Sequence, residues 1–535
     1  MDRADSGPVT ADAADGSEAV AADEQARPPG WRRAAASPVA PIAAVGVFAA
    51  LWRLGLLFAI DPTRHPLNFD EGAYFTGARL LTEGHVMYRD FIAVHPPVLF
   101  YALAPFTRLG SPMDGLVAAR AALCVVGGVN AWLIGRIALR HVGRWAAASG
   151  ALLYAVAPEV VLADRSVVVE PLLSLTSLLV VWAWIGGPPS DDDGVLDRRA
   201  WQAGVLLGLA GATKGWAVFL LVPLLLTTIP GRRGREAVRL ALGAAASFVV
   251  VAGSMIARAP ADFFDQVIRF QVLRPADGAG LLSRARVERL VPLGIDFDAG
   301  TNGLIAIAGI VGVVAVVCTR RTGGLGRFGS FALSWFAVLF AALFLGAIHF
   351  PQYNAILGPA AGLSLAFVLD RLWARGLAFP ELRVLRVAVI AILVLAMLHA
   401  ARLSRAQALT VDPEPARVAQ EIRGRDGCTF SFEAGWLLAA GQYPDDRVVG
   451  QIATDAFVGG LIAAIDAGET DQQFASPAAQ ALLRKAVERC PTVILGPRGR
   501  WHLASSLAWF TERYRPLSET GPDGIDVWVR KVGGP

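Results

Sequence analysis

A run of about 20 predominantly apolar residues matches the thickness of a bilayer's hydrocarbon core, and this 535-residue chain repeats such runs along most of its length. They lie near 41–60, 114–135, 145–162, 170–186, 201–229, 237–257, 302–318, 328–348, 351–370 and 384–401. Composition points the same way: 54% of residues are hydrophobic and 18% charged, against about 25% charged in a soluble domain. A formal charge of +4 is too small to suggest a nucleic-acid binder. Four cysteines exclude a disulfide scaffold. Among the 49 basic residues only Lys214, Lys485 and Lys531 are lysines, a bias that suggests a GC-rich bacterial genome. The chain reads as an α-helical polytopic membrane protein.

The 201–229 run is too long for one span and holds Lys214 near its middle. Two shorter helices joined at Lys214-Gly215 fit it better, each half short against a full span, which brings the count to about eleven spans. Residues 1–37, rich in Ala, Asp, Glu and Pro, read as a disordered tail. The tail ends in Trp31-Arg32-Arg33, which holds that flank in the cytoplasm. No small-residue cleavage site follows, so the first run is an anchor. Arginines then recur in every second loop: Arg136/Arg140/Arg144, Arg232/Arg233/Arg235/Arg239, Arg320/Arg321/Arg327 and Arg371/Arg375/Arg383/Arg386. One loop on that side is acidic instead, with Asp191 to Asp193 and Asp197 beside Arg198 and Arg199. This alternation closes only if 201–229 crosses twice, with the N-terminus inside and the C-terminus outside. The expected division is a tail at 1–37, a transmembrane domain at 38–403 and an outer domain at 404–535.

Three outer segments stand out. In the loop 61–113, the stretch Asp70 to Glu83 has Tyr74, Ala78 and Leu81 at helical spacing, as an interfacial helix would. In the loop 260–300, Phe263, Phe264, Val267, Ile268 and Val272 interleave with Arg269 and Arg274, again an interfacial pattern. Residues 404–535 alternate helical stretches (415–423, 477–488, 502–513) with strand-like runs at 429–432, 492–495 and 525–529, the pattern of a small α/β domain.

Ionisable residues near membrane depth are costly and mark function by default. On this topology Asp70, Glu71, His95, Asp164, Glu170, Lys214, His349 and Gln352 all emerge on the outer face. Each also has a plainer reading. Asn68-Phe69-Asp70-Glu71 is a capping-box pattern, compatible with a base because a capped carboxylate is rigid and ionised. His95-Pro96-Pro97 can simply start a helix, Glu170-Pro171 can be an N-terminal charge, and Tyr353 can belong to the aromatic belt. Lys214, at a turn between short apolar halves, reads as an anion site in preference to a snorkelling lysine. The stretch 324–329 matches G-x-G-x-x-G by letter but lacks a strand–helix unit, so it is no nucleotide site. Gly211 to Lys214 is no P-loop either, and no HExxH, G-x-S-x-G or paired CxxC occurs. Cys124 and Cys318 lie in spans and read as packing residues. Cys428 and Cys490 each lead into a strand, and a disulfide can join them if those strands are neighbours.

Asp70-Glu71-Gly72-Ala73-Tyr74, Ala78-Arg79-Leu80-Leu81, Tyr88-Arg89-Asp90 and His95-Pro96-Pro97 together resemble the first outer loop of GT-C membrane glycosyltransferases. The nearest group is the protein O-mannosyltransferase, aminoarabinose transferase and RgtA-like one. Asp164-Arg165 through Glu170-Pro171-Leu172, Gly208 through Lys214-Gly215, and His349 through Tyr353 with Pro359 add to the likeness. It covers roughly 40–400; the tail is less sharply similar. The resemblance implies a GT-C fold and an inverting transfer of sugar from a polyprenyl-phosphate sugar to an acceptor outside the bacterial cytoplasmic membrane. It also implies roles. Asp70 would take the acceptor proton, Glu71 would orient it or bind a divalent cation (Mg or Mn), and Glu170 would be a second acidic site residue. Lys214, His349, Tyr353 and Arg269 or Arg274 would hold the donor phosphate, with His95 and Asp164 as further metal or acceptor residues. No complete metal-ligand set is visible.

Two other classes compete. A transporter or flippase of a lipid-linked glycan would also carry many spans with buried charges, but the long amphipathic outer loops and the lack of inverted repeats favour the enzyme. A silent lipid-binding scaffold would work through residues 404–535 and tolerate loss of Asp70 and Glu71.

Overall fold

The computed structural model describes residues 38–65, 67–187, 192–228, 232–274, 325–346, 349–376, 382–444, 455–517, 520 and 524–531. The 1–37 tail, the 302–318 run with Cys318, and 275–300 of the second outer loop lie outside the described residues. Every other expected apolar run falls on helix: α1 (Ala40–Leu57), α4 (Pro112–Ala138), α5 (Arg144–Val156) with α6 (Pro158–Asp164), α7 (Glu170–Ile185), α8 (Asp193–Thr213), α9 (Leu221–Leu226), α10 (Arg233–Arg258), α11 (Gly326–Leu345), α12 (Leu357–Gly376) and α13 (Leu382–Ala408). Among the described residues five helices are long and apolar enough to cross a membrane alone, and six if the bent α5–α6 pair is one span. Residues Gly215–Leu220 form a 3-10 turn ahead of α9, so the 201–229 run breaks at Lys214. Its first half is longer than the apolar stretch suggests, because Asp192 caps a helix that starts at Asp193.

The acidic loop owes its oddity to this start. Asp197 is buried and paired with Arg232, Arg235 and Arg239 at the foot of α10. At the same end of the bundle Asp370 accepts from the Gly143 N–H at 2.9 Å, and Arg327 donates to the Thr227 carbonyl. The described ends of these loops therefore gather at one end of the bundle.

Helix α4 begins with a Ser111–Asp114 capping box and Pro112 at its first position. It approaches α1 closely because Gly128 faces Ala50 and the Gly46 carbonyl, where a Cβ would collide. Between α5 and α6 the helix bends by 63°, since Pro158 cannot continue the ladder. The freed carbonyls of Tyr154 and Ala155 accept from Arg53 at 3.2 and 3.0 Å, and the same guanidinium pairs with Asp164 at 2.8 Å. A break at membrane depth is tolerable when its polar groups are recovered in this way.

In the first outer loop, α2 (Phe69–Thr82) forms as expected and is followed by α3 (Val98–Leu103). Helix α2 is largely covered by protein, however: nine of its fourteen residues are buried and the other five half-buried. Gly72 permits this, because a Cβ there would strike the backbone at Ala434 and Gly435. The 260–273 stretch is helical with a π turn at Phe264–Arg269. Phe264, Ile268 and Val272 form an exposed apolar stripe, as an interfacial segment requires. Its other side carries buried Gln266, which donates to the Tyr88 carbonyl (2.7 Å) and accepts from the Ala93 N–H (2.9 Å). Tyr88 itself has φ 73°, a strained turn for a bulky residue that these bonds hold.

Helix α13 runs on to Ala408, past the expected boundary at 404. The outer domain then carries α14 (Glu414–Ile422), β1 (Thr429–Ser431), α15 (Gly435–Ala439), α16 (Ala456–Asp466), α17 (Pro477–Glu488), β2 (Thr492–Leu495), α18 (Pro497–His502), α19 (Leu507–Arg513), β3 (Tyr514–Pro516) and β4 (Asp526–Arg530). The sheet order is β1-β2-β4-β3, with β1 parallel to β2 and the other pairs antiparallel. Strand β3 escapes the sequence reading. Cys428 and Cys490, ahead of the neighbouring strands β1 and β2, form a disulfide. Ile92 and Phe270 from the membrane domain's outer loops join the buried cluster of Phe430, Val493, Leu495 and Phe510, so the outer domain is seated on those loops.

Candidate active site

A cavity of about 630 Å³ opens where the outer domain meets the bundle, within the roughly 300–1,000 Å³ usual for small-molecule sites. The membrane side supplies Asp70, Tyr74, His95, Arg274, Gln352 and Tyr353; the outer domain supplies Asp455, Arg498, Trp501 and His502. Leu67, Leu162, Phe270 and Phe350 make an apolar flank.

Asp70 occupies the second position of α2, where Asn68 caps the helix by accepting from the Asp70 N–H at 2.9 Å. The capping box is completed by Glu71, which accepts from the Asn68 N–H. Consecutive helical residues point about 100° apart, so the two acids part company. Glu71 turns inward, fully buried, and takes a bidentate pair from Arg120 (2.6 and 2.8 Å) and the Val167 N–H (2.7 Å). Its lone pairs are occupied, and it does not line the cavity. Asp70 turns into the cavity, where its carboxylate accepts from the Gln352 amide at 3.0 Å. Burial, then the Glu170 charge, push the Asp70 carboxyl up to about 6, against the opposing pull of Lys214 and the Gln352 hydrogen bond.

Behind this wall lies a second layer. Tyr353 lines the cavity, and the Lys214 ammonium sits 4.4 Å from its ring centroid. Lys214 is buried and paired with Glu170 at 2.6 Å. Both arise from local backbone: Glu170 opens α7 ahead of Pro171, and Lys214 is where α8 stops. His349 shares a 2.9 Å hydrogen bond with Asn354 in the turn that presents Gln352 and Tyr353. His95 lines the cavity, and burial, then the Lys214 and Arg274 charges, hold its ring well below the usual histidine range.

Besides Glu71, two residues expected here are elsewhere. Asp164 is held by Arg53 at the α5–α6 break, a partner the sequence could not assign. Arg269 faces Asp466 of α16, because the helical turn after it swings Arg274 into the cavity in its place. Glu71, Asp164 and Glu170, three of the acids expected at the site, are each paired with a basic side chain. No group of three His, Cys, Asp or Glu suited to a metal ion occurs among the described residues.

The outer-domain wall was missed in the sequence. Asp455 caps α16, accepting from the Val458 N–H at 2.9 Å, and burial pushes its carboxyl up to about 7. Arg498, Trp501 and His502 lie on α18, which follows directly on β2. A ligand site outside the carboxyl ends of parallel strands is the general rule for α/β sheets. The Gly496 to His502 stretch after the predicted strand at 492–495 carried that signal.

Residues 94–256, just under a third of the chain, match a family described as dolichyl-phosphate-mannose-protein mannosyltransferase. No curated protein matches in sequence. The structure is similar to that of ArnT from Cupriavidus metallidurans bound to undecaprenyl phosphate, with 17% identity, a TM-score of 0.57, and coverage of 91% of this chain and 98% of that one. It is similar also to the Archaeoglobus fulgidus oligosaccharyltransferase in the apo form, with 13% identity, a TM-score of 0.58, and coverage of 92% and 74%. The same archaeal enzyme in complex with an inhibitory peptide and a dolichol-phosphate gives 12% identity and a TM-score of 0.53, with coverage of 92% of this chain and 74% of that one. These likenesses show the fold. The chain is a multi-pass membrane protein with the GT-C architecture.

Proposed function

We propose that this chain is an inverting glycosyltransferase that moves a hexose or pentose from a polyprenyl-phosphate sugar to an acceptor hydroxyl on the outer face of a bacterial cytoplasmic membrane. The observation that carries the reading is Asp70, a carboxylate with raised proton affinity at the cavity wall, partnered by a neutral amide instead of a cation. General bases are tuned in this direction. In the transfer, the acceptor oxygen gives its proton to Asp70 and forms a bond to the sugar's anomeric carbon. The bond from that carbon to the phosphate oxygen breaks, and its electron pair leaves with the polyprenyl phosphate. Arg274 on the cavity wall and Lys214 behind Tyr353 supply positive charge for that leaving group, while the apolar flank takes the first units of the prenyl chain. His349 sets the turn that carries Gln352 and Tyr353, Glu170 holds the Lys214 ammonium in place, and Glu71 fixes α2 and so the aim of Asp70.

The solved relatives support the donor class: ArnT was crystallised with undecaprenyl phosphate and the archaeal enzyme with a dolichol-phosphate. The arginine-rich loops at the end away from the cavity support this orientation. To test the reading, the purified protein in liposomes is given a panel of labelled polyprenyl-phosphate sugars. Wild type transfers one of them, and Asp70→Asn lowers transfer by about 10²- to 10⁴-fold. A fully active Asp70→Asn protein removes the base and the reading with it.

A further inference from the structure

The bundle wall of the cavity carries Asp70 and Arg274, and the outer-domain wall sets a tryptophan beside Asp455, Arg498 and His502. Trp501 is 52% exposed although it is a large aromatic residue on the cavity lining. Its indole is braced by Phe474 at 4.8 Å, His502 at 5.4 Å and Phe457 at 6.5 Å, so it is held as a fixed platform. His502 is fully buried, lines the cavity, and among the described residues neither of its ring nitrogens has a hydrogen-bond partner. A buried imidazole without partners is costly unless something else supplies them. Arg498 is exposed at the rim and stacks 4.9 Å over Phe69, next in sequence to Asp70. Asp455 has one lone-pair set on its helix cap and faces the same space.

A flat aromatic face beside a planar guanidinium, a carboxylate and an imidazole is the chemistry that recognises a sugar ring: axial C–H groups lie on the indole, and adjacent hydroxyls both donate and accept. We infer that the acceptor is a carbohydrate, its ring stacked on Trp501 with hydroxyls at Arg498, Asp455 and His502, and one further hydroxyl delivered to Asp70. This rests on the glycosyltransferase reading and names its acceptor class.

The test uses the full chain in nanodiscs: wild type, Trp501→Ala, Trp501→Phe and Arg498→Gln. Three probes are titrated by saturation-transfer NMR: a set of methyl glycosides at millimolar concentration, a Ser/Thr-rich peptide, and undecaprenyl phosphate. At least one methyl glycoside binds wild type. Trp501→Ala and Arg498→Gln weaken it by roughly tenfold, whereas Trp501→Phe keeps it within about threefold. Undecaprenyl phosphate binds all four proteins alike, which shows that the variants are folded. The inference is overturned if no glycoside binds, if the peptide binds in its place, or if glycoside binding ignores both Trp501→Ala and Arg498→Gln. Failure of the underlying reading looks different: Asp70→Asn would keep full transfer, whatever the glycosides do.

Discussion

Asp70 and Glu71 are neighbours in sequence and opposites in the structure. Glu71 belongs to a scaffold of buried ion pairs, with Arg120 at 2.6 Å, and Arg53–Asp164 repeats the same device at the α5–α6 break. Asp70 has no basic partner within ion-pair distance among the described residues, only the Gln352 amide and open cavity. The difference teaches how to read acidic residues at membrane depth. A carboxylate whose lone pairs are all taken by a guanidinium and backbone N–H groups holds helices together; one left with a single neutral donor is available to react.

The largest expected contrast is between removing the reactive acid and removing a structural one. Asp70→Asn loses transfer by about 10²- to 10⁴-fold yet leaves the protein folded. The sign of its stability effect follows from the raised carboxyl. A folded-state value near 6, above the ordinary 3.8, means that the Asp70 charge opposes folding above pH 6, and that this cost disappears as pH falls below 3.8. Asp70→Asn therefore unfolds at the same temperature as wild type or a higher one. Arg53→Met or Arg120→Met does the reverse, destabilising by about 3–5 kcal/mol because a carboxylate is left buried and unpaired; thermal unfolding in detergent reads this directly. Replacing both Arg53 and Asp164 with apolar residues recovers much of that loss in the double mutant.

The pH profile sharpens the comparison. If Asp70 is the base, transfer rises with pH through about 6 and is lost below it, as the carboxyl takes up its proton. A flat profile between pH 5 and 7 would show that another group limits the rate. A smaller effect separates Arg269 and Arg274, five residues apart. Arg274→Gln weakens undecaprenyl phosphate binding more than Arg269→Gln does, because only Arg274 lines the cavity while Arg269 pairs with Asp466 at the surface. Equal losses in a binding titration would contradict that assignment.

Much of the bundle was legible because apolar runs of bilayer length have few other uses. The break at Lys214 and the capping box at Asn68 were legible for similar local reasons. What could not be read was which acid stays free. That choice depends on Arg120 and on the Val167 N–H, far from Glu71 in sequence, and nothing in a run of letters marks their convergence. Asp164 looked like a metal or acceptor residue for the same reason: its Arg53 partner is on the first helix and also donates to the Tyr154 and Ala155 carbonyls ahead of Pro158. The outer wall was harder still. Asp455, Arg498, Trp501 and His502 sit in a soluble domain whose local pattern shows strands and helices but not how they dock, and docking depends on small contacts such as Gly72 against Gly435.

The most direct test sets Asp70→Asn beside Glu71→Gln and measures unfolding temperature and sugar transfer on the same preparations. The account predicts that Asp70→Asn is at least as stable as wild type and inactive, whereas Glu71→Gln unfolds at a clearly lower temperature. An Asp70→Asn protein that still transfers sugar, or a Glu71→Gln protein with wild-type stability, would contradict it.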